Sequence, residues 1–261
     1  MKIALSTSLS ASGSTWSPAS LSIVKHWYVA RGDAVALSSG AVATAIDLGR
    51  GAKSITQAVA GQRPAYAASG GVFGALQHWS HVAASDQELA ASTAADWKFL
   101  HDGTGMAIYM RARPTAAAGQ QCLVNTERIN SNNVGIGVFW DSSSSGILQL
   151  LIANAGGGAY PVNVVTANGS APINTEFRVR ATYKESISPE ATLRANGGAL
   201  VTAAFAAAPS AANPSYPLTI GGRPSAAAND FTGDVQEIII CDAIPTDEED
   251  ALLDAWQRRT S

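Results

Sequence analysis

Residues 177–183 read FRVRATY, and their side chains alternate strictly. Phe177, Val179, Ala181 and Tyr183 share one face, while Arg178, Arg180 and Thr182 share the other. That period of two is the mark of a strand with one buried side. The pattern recurs. Met106, Ile108 and Met110 alternate with Tyr109, Arg111 and Arg113, and Val134, Ile136, Val138 and Trp140 alternate with Gly135, Gly137 and Phe139. Ile147–Ile152 is almost continuously apolar, and further short strands are predicted at Ala75–Trp79 and Glu88–Ala91. Asn196, Gly197 and Gly198 form a hairpin signal, because Asn and Gly accept positive φ. Strands and turns alternate every 8–12 residues or so, the spacing of a sandwich or barrel. No strand–helix alternation suggests a parallel α/β fold.

One helix stands out, at the C-terminal end. Thr246 with Glu249 three residues on makes a capping box, and Asp247, Glu248 and Glu249 crowd the positive helix start. Leu252, Leu253 and Trp256 share a face that should dock on the strands.

A chain of 261 residues can be a single all-β domain. Ser-rich residues 1–20 show no periodicity and are predicted to be an arm, with residues 21–261 as the domain. Charged residues make up only 14% and the net charge is −3, which argues against nucleic-acid binding and against disorder. So little charge also implies surface covered by other subunits. The N-terminal apolar run is too short for a good export signal, and no run of 18 apolar residues could span a membrane. Cys122 and Cys241 both lie in apolar runs; a disulfide between them is left open.

The last forty residues, FTGDVQEIIICD followed by AIPTDEEDALLDAWQRR, resemble the close of concanavalin A-like, laminin-G-like jelly-roll domains. Earlier, Gly40, Asp47, Gly49, Gln57, Ala58, Arg63, Pro64 and Tyr66 resemble, in order, the opening of such domains in tailed-phage proteins. Ile46 stands where that pattern has an aromatic. The resemblance implies an all-β, two-sheet antiparallel jelly-roll sandwich with one short C-terminal helix. It also implies a bacteriophage virion accessory protein, a capsid decoration or tail-attached module on the virion surface. Such a protein would be present in many copies, with other virion proteins as partners and host-surface polysaccharide as a ligand. The alternative is a free bacterial carbohydrate-binding module or adhesin domain. A divergent glycoside hydrolase comes third, resting on Asp86 and Glu88.

Catalytic chemistry is not expected. Sandwich glycosidases carry a run of carboxylates along one strand, and none occurs here. Asp234 and Glu237 are three apart, which in a regular strand points them to opposite faces. His78 and His81 have the same spacing and are not expected to bind metal. Calcium, which the resemblance would allow, is left open: Asp102, Asp141 and Asp230 lie in predicted loops without forming a dense ligand run. Sugar binding needs aromatic faces flanked by polar groups. Trp97, Tyr109 and Tyr160, with Arg178 and Arg180, are the expected carbohydrate-binding residues, while Trp140 is expected in the core.

Overall fold

The computed structural model describes residues 16–127, 132–156, 160–185, 187–204, 207–223 and 229–259. Its strands are β1 (Val24–Val29), β2 (Val35–Ser38), β3 (Ala41–Ala45), β4 (Ile55–Thr56), β5 (Ala65–Ala67), β6 (His78–His81), β7 (Leu89–Ala90) and β8 (Met106–Pro114). They continue with β9 (Gln120–Asn125), β10 (Val134–Asp141), β11 (Ile147–Asn154), β12 (Val162–Val165), β13 (Phe177–Tyr183), β14 (Ala191–Ala195), β15 (Val201–Ala203), β16 (Thr219–Ile220) and β17 (Gly233–Cys241). Helix α1 (Asp247–Gln257) is the one α-helix among the described residues.

Every pairing is antiparallel. The strands follow the order β12–β11–β10–β9–β16–β7–β4–β3–β5–β6–β17–β8–β13–β14–β15, with β1 beside β17 and β2 beside β3. The sequence predicts two separate sheets. Instead the short strands β4, β5, β6 and β7 bridge the two layers into one connected ladder. Strand β12 packs against β14 and β15, so the ladder nearly closes on itself. Closure leaves few open strand edges for another chain to pair with. The core fills the interior, with Trp79, Trp140, Phe177, Tyr183 and Phe231 all fully buried. Trp140, expected in the core, is there, and its Nε1 donates to Ala171 O at 2.7 Å.

The alternating strands form as their pattern predicts. The hairpin joining β14 to β15 turns through Asn196 (φ 54°) and Gly197 (φ 71°), the positive-φ pair such a turn needs. The strand expected at Ala75–Trp79 lies slightly later, at His78–His81. Residues 1–15 of the expected arm lie outside the described residues. Trp16 and Leu21 pack on the body of the protein, so the folded domain reaches back to Trp16.

All nine residues of β17 are buried. Strand β8 flanks it throughout, while β1 covers its second half and β6 its first. Its register against β8 shifts between Val235 and Glu237, so Gln236 forms a bulge. This corrects one sequence-based expectation. A bulge inserts one residue and resets the alternation. Asp234 therefore lies opposite Arg113 and Glu237 opposite Arg111, both on the outward side.

Helix α1 covers that outward side. Thr246 Oγ1 accepts from Glu249 N at 3.3 Å, and Glu249 Oε2 accepts from Thr246 N at 2.9 Å, closing the expected capping box. Leu253 and Trp256 pack on Trp27, Tyr109, Ile239 and Cys241. Beneath them the fully buried Glu237 carboxylate accepts from Trp27 Nε1 (2.7 Å), Trp256 Nε1 (2.7 Å) and the Arg259 guanidinium (2.9 and 3.0 Å). Four charge-assisted bonds thus join β1, β17 and the end of α1 at one point.

The spacing of Asp47, Gly49 and Arg63 serves the backbone. Asp47 accepts from the N–H groups of Trp27, Gly49 and Lys53 and lies 2.7 Å from His26 Nδ1. A Cβ on Gly49 would stand 2.5 Å from Lys25 O, which only Gly avoids. Arg63 donates to Gln57 O and Ala58 O, pinning the loop between them. Cys122 and Cys241 are both buried free thiols in separate apolar clusters, which resolves the disulfide left open.

Removing one partner of a buried charged pair costs about 3–5 kcal/mol. Glu237→Ala should destabilise the fold on that scale in urea titrations. Glu237→Gln, which still accepts from both indoles, should lose distinctly less.

Candidate functional site

The outward face of β8, β13 and β14 carries Tyr109, Arg111, Arg178, Arg180 and Arg194, a face the alternation predicts to be wet and basic. Helix α1 lies over it and answers its charge. Asp250 accepts from Tyr109 Oη at 2.5 Å and pairs with Arg180 at 2.8 Å and Arg194 at 3.2 Å. Asp254 stands 3.8 Å from Arg178 and also pairs with Arg258. Tyr109 is only 1% exposed, and burial followed by its bond to Asp250 holds its hydroxyl well above the ordinary tyrosine value. Trp97 is fully buried in a 3₁₀ segment, its ring 4.4 Å from that of His26. Neither ring can offer a face to a sugar, so Tyr109 and Trp97 are corrected from binding to packing residues. Arg180 likewise serves the helix contact. The alternation marks correctly which side of β13 is not core. It cannot say that a helix forms a further layer there.

Tyr160 has a different setting. The strands β9–β12 turn Leu123, Ile136, Val138, Trp140, Leu148, Leu150, Ile152, Val162 and Val164 into the core. Cys122, Phe139 and Leu151 instead form a small cluster on the other side, with half-buried Tyr160 packed against it. Phe139 lies close over Gly137: a Cβ there would stand 2.2 Å from the Phe139 ring. Glycine in the middle of β10 is thus a socket for an aromatic side chain.

Across the same face runs a line of amides. Gln120 Nε2 donates to Gln149 Oε1 at 2.5 Å, and Gln149 Nε2 donates to Asn163 Oδ1 at 2.8 Å. The line links β9, β11 and β12, passing over β10, and Asn163 at its end is exposed. Cys122, Phe139 and Leu151 are themselves buried, so Tyr160 is the one ring of the set that reaches the surface, and a partly exposed ring beside a row of amides can meet both the ring face and the hydroxyls of a sugar. Only Tyr160 of this set was singled out from sequence. The amides could have been found from register, since Phe139 faces both Gln149 and Cys122 across the ladder.

An acidic corner borders this face. Asn229 Nδ2 donates to Gln120 O at 2.7 Å and Cys122 N donates to Asn229 O at 2.6 Å, fixing residues 229–230 against β9. Asp230 Oδ1 accepts from Arg223 N at 2.9 Å. A Cβ on Gly222 would stand 2.6 Å from Glu88 Cβ, so the acids can crowd there only because Gly222 lacks one. Burial, reinforced by Asp86, pushes Glu88 up to about 7. Burial also dominates at Asp230. The Arg223 N–H bond pulls downward, Asp86 and Glu88 push upward, and the carboxyl reaches about 8. A carboxyl that keeps its proton near neutrality can donate a hydrogen bond or act as an acid.

The histidines serve packing. Burial drives His81 down to about 4, and its Nδ1–H donates to Gln87 O at 3.0 Å. Among the described residues no group of three or more His, Cys, Asp or Glu side chains is placed to hold a metal.

No family model matches the sequence, and no curated protein matches it. Solved structures do. Trypanosoma rangeli sialidase in complex with 2,3-difluoro-KDN is similar over 92% of this chain, with 13% identity and a TM-score of 0.54. This chain spans 34% of that one. The carbohydrate-binding module CBM40 of Ruminococcus gnavus IT-sialidase, bound to α2,3-sialyllactose, is similar over 61% of this chain and 84% of its own, with 17% identity and a TM-score of 0.48. Leech intramolecular trans-sialidase is similar over 62% of this chain and 25% of its own, at 18% identity and a TM-score of 0.46. At 13% identity the trypanosomal likeness is one of fold. It nevertheless corrects the expectation that this chain is no enzyme: the same architecture forms part of a sialidase, so the fold gives no ground for excluding catalysis. None of these likenesses is to a virion protein.

Two outcomes follow from the site geometry. Folded Glu88 and Asp230 hold protons that the unfolded chain releases in the ordinary carboxylate range. Their contribution to stability is therefore complete at about pH 4 and is lost as pH rises towards 7–8. The thermal midpoint should fall across that window, and Glu88→Gln should flatten the fall. Separately, Gly137→Ala should cost about 1–3 kcal/mol through overpacking, and the same change should cost less in a Phe139→Ala background, where the clash is gone. A double-mutant cycle by chemical denaturation checks this.

Proposed function

We propose that this chain is a carbohydrate-binding domain whose two packed layers form a jelly roll, and that it takes glycan on the outer face of β9–β12. The observation that carries the reading is the amide line Gln120–Gln149–Asn163 lying beside the half-buried Tyr160, which rests on Phe139. Tyr160 supplies the partly exposed aromatic contact, and Asn163 and Gln149 the hydrogen bonds to hydroxyls. The opposite face is occupied by α1, whereas on this one Gln149 and Tyr160 are partly exposed and Asn163 exposed. A virion setting, with other virion proteins as partners, adds nothing to this reading; the free carbohydrate-binding module fits the same residues with fewer assumptions. Weak single sites of this kind gain avidity when several copies are displayed together.

A second reading, glycoside cleavage, is favoured by one observation: Glu88 and Asp230 keep protons near neutral pH at the border of this same face. Reducing-sugar release that disappears in Asp230→Asn would establish it.

The binding reading is tested with an array of neutral and acidic glycans, followed by calorimetry on any ligand found. Tyr160→Ala and Gln149→Ala should each weaken binding about tenfold, the effect of losing one good contact, with the thermal midpoint little changed. A blank array from a multivalent form of the protein, or binding indifferent to both changes, would overturn it.

A further inference from the structure

A second concavity opens at the far end of α1, on the other side of the core from the amide line. It is a broad, open cleft of about 540 Å³, within the size range of small-molecule sites. Exposed Val72, backed by the buried Phe73, forms an apolar side, while Arg111, Arg178, Arg258 and Glu176 supply the charge.

The three arginines differ in what they have left to offer. Arg111 is saturated. It grips Glu176 with two parallel bonds of 2.8 and 2.7 Å and donates a third, of 2.7 Å, to Arg259 O. Arg258 is 60% exposed at the helix end and reaches back to Asp254. Arg178 is the exception. Its Nη1 is shut off from solvent yet makes no hydrogen bond, and the nearest carboxylate, Asp254, stands 3.8 Å away. Burial and the neighbouring Arg258 both disfavour its charge. The rest of the guanidinium lines the cleft, its side chain 18% exposed, so a group that accepts from Arg178 there would be bound favourably.

Around the opening the side-chain charges are Arg111, Arg178 and Arg258 against Glu176 and Asp254, a net excess of one positive charge. The carbonyl end of α1 offsets some of it, and Arg259 is taken up by Glu237. The remaining demand is for one anion. A guanidinium fork matches a planar carboxylate. The volume, and the apolar wall of Val72 backed by Phe73, call for a body much larger than a bare ion.

We propose that this cleft is a second binding site, for an organic acid of monosaccharide size, with a sugar carboxylate held by Arg178 and Arg258 and the ring lying towards Val72. The site stands independently of the amide line.

The test is calorimetry or NMR titration of the intact protein at low salt with glucuronate, glucose and glucose 6-phosphate. Glucuronate should bind at least tenfold more tightly than glucose or glucose 6-phosphate. Arg178→Gln should abolish that preference, and the exposed Arg258→Gln should weaken glucuronate several-fold without lowering the thermal midpoint. Tyr160→Ala, on the other face, should leave glucuronate binding unchanged. Equal binding of glucose and glucuronate, equal or tighter binding of the phosphate, or full glucuronate affinity in Arg258→Gln would overturn the proposal. A protein that holds glucuronate through Arg178 but no neutral glycan would keep this site and refute the amide-line reading.

Discussion

The buried carboxylate of Glu237 governs the layout of this protein. It joins the indoles of Trp27 and Trp256 and the guanidinium of Arg259, so it ties an early strand, the central strand and the terminal helix together. A buried negative charge is tolerable only when its lone pairs are answered, and here four donor contacts answer them. The Gln236 bulge makes this possible by turning Glu237 to the same side as Asp234. Without the bulge the carboxylate would point into an apolar core with nothing to receive it. The seat of the helix end on β17 follows from that one reset in alternation.

Local chemistry was legible in the sequence. The alternation of Phe177–Tyr183, the capping box at Thr246 and the Asn196–Gly197 turn each depend on near neighbours, and each forms as expected. What depended on distant partners was not legible. Tyr109 and Arg180 sit on a polar-looking face, and only the tertiary position of Asp250 shows that this face is covered. Trp97 carries no periodic signal, so its burial against His26 could not be read. The bulge at Gln236 leaves no mark in the residue types and was missed for that reason. The connection of two expected sheets into one ladder rests on strands as short as Ile55–Thr56, too brief to show a period.

The site residues divide in the same way. Tyr160 was visible as an aromatic with no strand partner in view. Gln120, Gln149 and Asn163 look like ordinary solvent-facing residues on three separate strands. Only register brings them into one line. The low charge of the chain also takes on a clearer meaning. Most described arginines of the helix-covered side are spent on internal carboxylates, so the amide face offers neutral hydrogen bonding rather than charge. Neutral donors and acceptors lose less on desolvation than ions do, which suits hydroxyl-rich ligands.

Trp16 packs edge-on to Trp256, with ring centroids 5.7 Å apart. The first packed residue of the domain and its last helix therefore meet on one side, across the core from the amide line. A polypeptide joined directly at Trp16 or just after α1 would depart from that shared side. It would act as a stalk, and the domain would be held like a paddle with the face of β9–β12 turned outward. The stretch from Trp16 to α1 could equally be spliced into a surface loop of a host protein, since Trp16 and Trp256 lie as neighbours and need no long connection to rejoin.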